Sequence, residues 1–570
     1  MARIVLSLLS LVLALMLDVS RGSAQAPPRL DVQLTPHVAA GEVDYVDVQL
    51  TVAAPAARAG ASLLRLPMVF AGVDSARYQA SDLQVGDAAG AVPLAQRDDP
   101  VDASNFLYFR RWSPTRATVG DLTVRYRAPT RVFTPLLGSG PPFDLRPEAG
   151  GIAGSGVTFL VVPDRTTPYR IALRWNLAGM PTGSRGVWTH GEGSVETVGP
   201  VELLANAFYF AGPLSSHPQQ PRADFQVYWL TPPPFDAAAV GRWTERAYGA
   251  ISTFFREPGK PYRIFLRRNA GGAIGGAALM SSFMVGYGDA PTPTEESLRG
   301  MLAHETVHSF VAGLGSANSE WYVEGMAEHY ALSLALRAGL ITPDAFAAEL
   351  NARALGYYAN PMNTLPGAQI AARFWSDTRV RRLPYDRGAF YLASVDAQLR
   401  ARSGGTRSLD DVTLAMLARY RAGQRYDVST WLSLLTAELG ASARSDYEAM
   451  MAGTLQAPPD GAFGPCFRRE DARYARFELG FDVATLASVP RVVRGVVPGS
   501  NAERAGLRAG DEITHPVVLD RVQQSESAAL TLGVRRGTAT LSVQYLPRGE
   551  TVPGHRWVRV AGVPDAACAR

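Results

Sequence analysis

The hydrophobic pattern changes period at Pro232-Pro233-Pro234, and a chain with two periods cannot be one uniform layer architecture. From about residue 30 to 230, apolar and polar residues alternate in runs such as LDVQL, VDVQLTV, LTVRYRA, YRIALRW and FQVYWL, with Gly, Pro and Asp between them. Period two is the signature of half-buried strands. Residues 27–233 are therefore expected to form an all-β, sandwich-like domain. Beyond the prolines, apolar residues recur at helical spacing. Helices are expected over 235–255 and over about 296–313, 319–338, 385–402, 408–421, 428–440 and 443–452, with a strand at PYRIFLRR. The glycine-rich but apolar stretch 270–288 reads as a closely packed strand and loop. A mainly helical domain with a small sheet is expected over 234–456, and short strands over 465–570 make a third, β domain. Three domains suit 570 residues, because single cores stop growing at roughly 250–300 residues.

The net charge of +4 is small for this length and no basic cluster stands out, so no nucleic-acid partner is expected. Residues 1–26 read as a signal peptide, with Arg3, an apolar run over 4–17 and the small-x-small site Ala24-Gln25-Ala26. That run is shorter than the roughly 20 residues that span a bilayer, and no later segment is longer, so no transmembrane anchor is expected. Export, to a periplasm or the medium, is the reading. Cys466 and Cys568 are the only cysteines. They are expected to pair, two unpaired thiols being the alternative.

The stretch MLAHETVHSF, residues 301–310, carries the chemistry. On a helix His304 and His308 lie about 400° apart, so both rings leave one face a turn apart. Two imidazoles suit Zn²⁺, which in catalytic sites takes a third protein ligand and keeps one position for water. Glu305, about 100° round the helix, is placed to act as general base and not as ligand. Leu302, Val307, Phe310 and Val311 around the motif imply burial. A chance match on a surface helix is the competing reading. Downstream, Glu320, Glu324 and Glu328 recur at intervals of four on the next helix, a stripe of like charge that a dication would neutralise. Ordinary exposed glutamates are the alternative. Glu324 is expected as third ligand, with Gly325 permitting a close helix approach, and Glu328 as acceptor for the far nitrogen of a ligating histidine. Glu320 is expected to be a solvated first-turn residue, and His329 a packed or surface residue.

His304-Glu305-x-x-His308 followed by Trp321-Tyr322-Val323-Glu324-Gly325-Met326-Ala327 resembles the gluzincin, or thermolysin-like, zinc metallopeptidases. More closely, the chain is similar to the glycyl aminopeptidase family, which joins an N-terminal β domain, a thermolysin-like catalytic domain and a C-terminal PDZ domain. Tyr385-Asp386-Arg387-Gly388 is similar to that family's Tyr-x-Lys-Gly segment, which implies that Tyr385 hydrogen-bonds the oxyanion of the tetrahedral intermediate. Leu479-Gly480-Phe481 resembles a PDZ carboxylate-binding loop, which implies capture of a peptide C-terminus. The segment Gly275-Gly276-Ala277-Ala278 matches the family's substrate strand, except that Ala278 stands where the family has the glutamate that anchors a substrate's free amine.

The resemblance implies an exported zinc peptidase acting on peptides or proteins. The missing anchor at Ala278 implies that it is not a strict aminopeptidase. The alternative is a catalytically weak peptide-binding or scaffolding protein working through the PDZ-like module. A serine hydrolase is disfavoured, because no Gly-x-Ser-x-Gly elbow occurs.

Overall fold

The computed structural model describes residues 26–568 apart from 71–72, 101–107, 132–141, 270–274, 289–292, 317, 375–376, 516 and 518. The expected signal peptide, 1–26, falls outside these residues except for its last position. The described chain forms two compact units. One takes the residues up to 245 together with 259–299, and the other takes 246–258 together with 300 onward.

The first unit grows from a hairpin of Arg29–Ala39 and Glu42–Val52, with Leu30 opposite Val52 and Leu34 opposite Val48. Ala40 and Gly41 form its turn, at φ of 51° and 86°. Two left-handed residues give the turn a twist that matches the strands. The alternation seen in the sequence buries Leu30, Val32, Leu34, Val46, Val48 and Leu50 on one face. This hairpin sits inside a seven-stranded sheet, where Tyr169–Trp175 runs parallel to its first strand and Leu122–Pro129 antiparallel to its second. Trp112, Ile152, Trp188 and Tyr209 from two smaller sheets join the same core.

A further five-stranded sheet has the order Ser215–His217, Phe225–Trp229, Tyr262–Arg268, Ser282–Tyr287, Gly275–Leu279. Phe225 lies opposite Tyr262 in a parallel pair. The expected boundary at 233 thus runs through a sheet. The prolines end a strand but not a layer, because helix α1 (Ala237–Phe254) leads the chain to the neighbouring strand, as a parallel connection requires.

In the second unit the long helices are α2 (Glu295–His308, entered from the first unit), α3 (Glu320–Arg337), α4 (Pro343–Tyr358), α5 (Leu383–Arg402), α6 (Leu409–Arg421), α7 (Val428–Leu439) and α8 (Ser442–Ala452). Two differ from expectation. α2 ends at His308 and not near 313, since Ser309 and Phe310 already bond back by three residues to Thr306 and Val307. α4 is not anticipated at all, although Thr342 caps it by accepting from the Ala345 N–H at 3.1 Å and Pro343 opens its first turn.

α3 and α5 cross at glycines. A Cβ on Gly325 would lie 2.8 Å from the Gly388 Cα, and one on Gly388 would lie 2.3 Å from the Trp321 carbonyl oxygen. No larger residue fits without separating the helices. The last hundred residues divide their core in two. The long ribbon of Phe467–Phe477 and Arg548–Arg559 packs Phe467, Tyr474 and Trp557 with Phe346, Leu350 and Phe390 of α4 and α5. Asn351 bonds both the N–H and the carbonyl of Trp557, each at 2.8 Å. A four-stranded sheet has its own core, which includes Leu479, Phe481, Leu532 and Val534. Cys466 and Cys568 form a disulfide with Cα atoms 5.3 Å apart, the expected pairing. Among the described residues no helix is long and apolar enough to cross a membrane.

Candidate metal centre

α2 presents His304 and His308 a turn apart, and the α3–α5 glycine contact fixes the helix that carries Glu324. The result is a triangle of ligand atoms. His304 Nε2 lies 3.0 Å from His308 Nε2 and 3.2 Å from Glu324 Oε2, and His308 Nε2 lies 3.4 Å from the same oxygen. Ligands about 2.0–2.1 Å from one ion at tetrahedral angles stand about 3.3 Å apart. The triangle has that edge. All three side chains are largely buried, at 12%, 7% and 1% exposure. Glu324 Oε1 is buried without a hydrogen-bond partner among the described residues, an expensive state for a carboxylate that serves only structure. The three residues expected as ligands are therefore brought together as a group able to hold a metal ion.

Burial and charge compete at each of these groups. Burial opposes protonation of His304, but Glu324 and Glu328 outweigh it and lift its pKa to about 10. Burial would raise Glu324, yet the facing His308 and His304 carry it down to about 2. Glu328 approaches His304 Nδ1 at 3.4 Å, short of the expected hydrogen bond, for that nitrogen has no hydrogen-bond partner among the described residues, and Arg353 of α4 bonds the other Glu328 oxygen. That pairing overcomes burial and holds Glu328 well below the carboxylate range. Burial pushes the Glu305 carboxyl up against the pull of the two histidines, which favours proton exchange nearer neutrality.

Tyr385, in the first turn of α5, stacks on His304 with ring centroids 5.6 Å apart and planes 12° apart. Its phenol is held well above its usual pKa by burial, so it stays a donor. Glu320 departs from expectation. It is half-buried, and burial, with the charge of Glu324, raises its carboxyl. His329 packs edge-on to Tyr330 at 5.0 Å, and burial depresses it to about 3. Sequence reasoning missed Arg353 and Arg382. Arg353 reaches the site only through a helix crossing, and Arg382, although three residues before Tyr385, reaches Glu328 the same way.

In the first unit, Gly275–Leu279 is the edge strand of its sheet, with Gly275 opposite Gly286 and Ala278 opposite Phe283. One side of the strand has no partner strand among the described residues, the arrangement an added extended peptide needs. Gly276 is obligatory, since a Cβ there would lie 2.1 Å from the Phe283 ring. Ala278 offers no charge. In the second unit, Leu479 and Phe481 point into their core, and Gly480 turns the chain at φ of 80°. Among the described residues the N–H groups of 479–481 donate to no backbone carbonyl. The chain then enters a short helix, Ala484–Ala487, whose first N–H is capped by Asp482 at 2.9 Å.

No protein-family model matches the sequence, and no curated protein matches it. Among solved structures, a crystal structure of an aminopeptidase N family protein from Idiomarina loihiensis superposes with a TM-score of 0.63 at 14% identity, over 92% of this chain and 97% of that one. An M1 zinc metallopeptidase from Deinococcus radiodurans overlaps more loosely, with a TM-score of 0.45 at 17% identity, over 76% of this chain and 94% of the other. The chain shares the fold of the Idiomarina aminopeptidase N family protein, β-rich in its N-terminal part with a helical region after it.

Proposed function

We propose that the chain is an exported zinc-dependent peptidase of the gluzincin kind. The observation that carries this reading is the buried triangle of His304, His308 and Glu324, with edges of 3.0–3.4 Å. The donor set fits zinc: two imidazoles and one carboxylate, with a second carboxylate behind one ring. A zinc ion there would act as a Lewis acid on the scissile carbonyl and acidify the attacking water. Glu305 takes the proton from that water and passes it to the leaving amine. Tyr385, stacked on His304, donates to the oxygen that becomes negative, while Glu328, 3.4 Å from His304 Nδ1, supplies the charge that orients that ring.

That the Idiomarina neighbour is an aminopeptidase N family protein supports peptidase chemistry at this fold. The motifs around Tyr385 and Leu479 support the finer placement with the PDZ-containing glycyl aminopeptidases, in which residues 465–570 form the PDZ-like module. The Cys466–Cys568 disulfide supports residence in an oxidising compartment. Specificity departs from the family pattern at Ala278. A free α-amine has no carboxylate to meet there, and an unpaired buried ammonium costs several kcal/mol. N-terminally blocked peptides should be cleaved at least as fast as free ones.

The test combines metal analysis with turnover of acetylated and free peptide libraries, for the wild type and for Glu305→Gln. Stoichiometric zinc in both, with turnover lost in the variant, is expected. Equal turnover in both proteins would refute hydrolysis at this centre and leave a peptide-binding protein. A strict need for a free N-terminus would refute the specificity part alone.

A further inference from the structure

Arg382 immediately precedes α5 and lies where two parts of the proposed site meet. Its guanidinium carbon stands 4.8 Å from the centre of the Tyr385 ring. One of its nitrogens is 3.9 Å from Glu328 Oε1, the oxygen that faces His304 Nδ1, and another donates to Asp386 at 2.8 Å. The side chain is only 16% exposed. His304, Tyr385 and Arg382 thus form consecutive contacts, ring on ring and then guanidinium on ring, while Glu328 and Arg382 link the two ends by charge.

We propose that Arg382 is a positioning residue that sets both the plane of the Tyr385 phenol and, through Glu328, the orientation of the His304 imidazole. This deepens the zinc-peptidase reading and rests on it. The physical argument has two parts. A planar cation over an aromatic face is attracted to the ring quadrupole and withdraws density from it. The ring is thereby held flat against its neighbour, and its O–H donates more strongly. The Glu328 carboxylate is bonded by Arg353 at one oxygen and drawn by the charge of Arg382, 3.9 Å away, at the oxygen that faces His304. Such outer partners commonly change metal affinity by about 10–100-fold when removed. Arginine suits the position because its flat, delocalised charge can stack and pair at once, which a lysine ammonium cannot.

The test uses the full-length protein and two variants, Arg382→Met and Arg382→Lys. Zinc affinity is read by chelator competition, geometry by the visible spectrum of the cobalt-loaded protein, and kcat and KM on a blocked peptide. Arg382→Met is expected to weaken zinc about tenfold, to alter the cobalt bands, and to lower kcat about tenfold or more with KM within about twofold. Arg382→Lys should recover part of each, because it keeps a charge near the ring and Glu328. Wild-type zinc affinity, spectrum and kcat in Arg382→Met would overturn the proposal and leave the peptidase reading standing. Equal losses in both variants that follow a lowered unfolding midpoint would also overturn it, by showing a packing role. A wild type that binds no zinc would sink both the peptidase reading and this one.

Discussion

His190 is a histidine that the fold must keep uncharged. Burial lowers its pKa from 6.5 to about 4, aided by Arg263, and its Nε2 has no partner among the described residues. As pH falls below 6.5 the unfolded chain takes up a proton that the folded chain refuses until about 4. The associated stability is complete above that window and lost on descending through it, on the order of 3 kcal/mol. Urea unfolding at pH 7.5 and pH 5 should show His190→Gln losing less stability on acidification than the wild type. Identical losses would contradict the assignment. For the proposed chemistry, Tyr385→Phe should lower kcat about 100-fold while zinc content is unchanged, a split that stopped-flow turnover and metal analysis read separately. The candidate metal triad was legible in the sequence because helical spacing aligns His304 with His308, and four-residue spacing places Glu324 and Glu328 on one face. The arginines behind it were not. Arg353 and Arg382 meet Glu328 only because α3, α4 and α5 pack together, which no local pattern encodes.

At the scale of elements, the α3–α5 crossing is the most exacting feature. Gly388→Ala would drive a methyl to 2.3 Å from the Trp321 carbonyl, so the helices must part, at a cost of about 1–3 kcal/mol. Because α3 carries Glu324 and α5 carries Tyr385, the same change should weaken zinc binding. Thermal unfolding together with chelator competition reads both effects, and an unchanged zinc affinity would show that the crossing does not set the site. Helices with strong periodicity were anticipated within a few residues, as with Glu320–Arg337 and Leu409–Arg421. α4 escaped because a central stretch, AFAAELNARA, carries little hydrophobic contrast between faces, and the cap at Thr342 was its clearest signal. In the β region the alternating runs announced strands but not partners. That Tyr169–Trp175 pairs parallel with Arg29–Ala39 across 140 residues of sequence follows from the shared core and not from either strand.

For the whole molecule, the disulfide ties residue 466 to residue 568 across a separation of 102. In the chain-entropy account a loop of that size adds about 4.7 kcal/mol of stability. Replacing both cysteines by serine should therefore lower the unfolding midpoint of the C-terminal β sheets and the ribbon first. The closed loop enters and leaves along the ribbon, whose second strand is also held to α4 through Asn351 and Trp557. A protease that nicks anywhere between the two cysteines would then yield no free fragment. The cut protein should run as one species on a non-reducing gel and separate into two pieces only when a thiol is added.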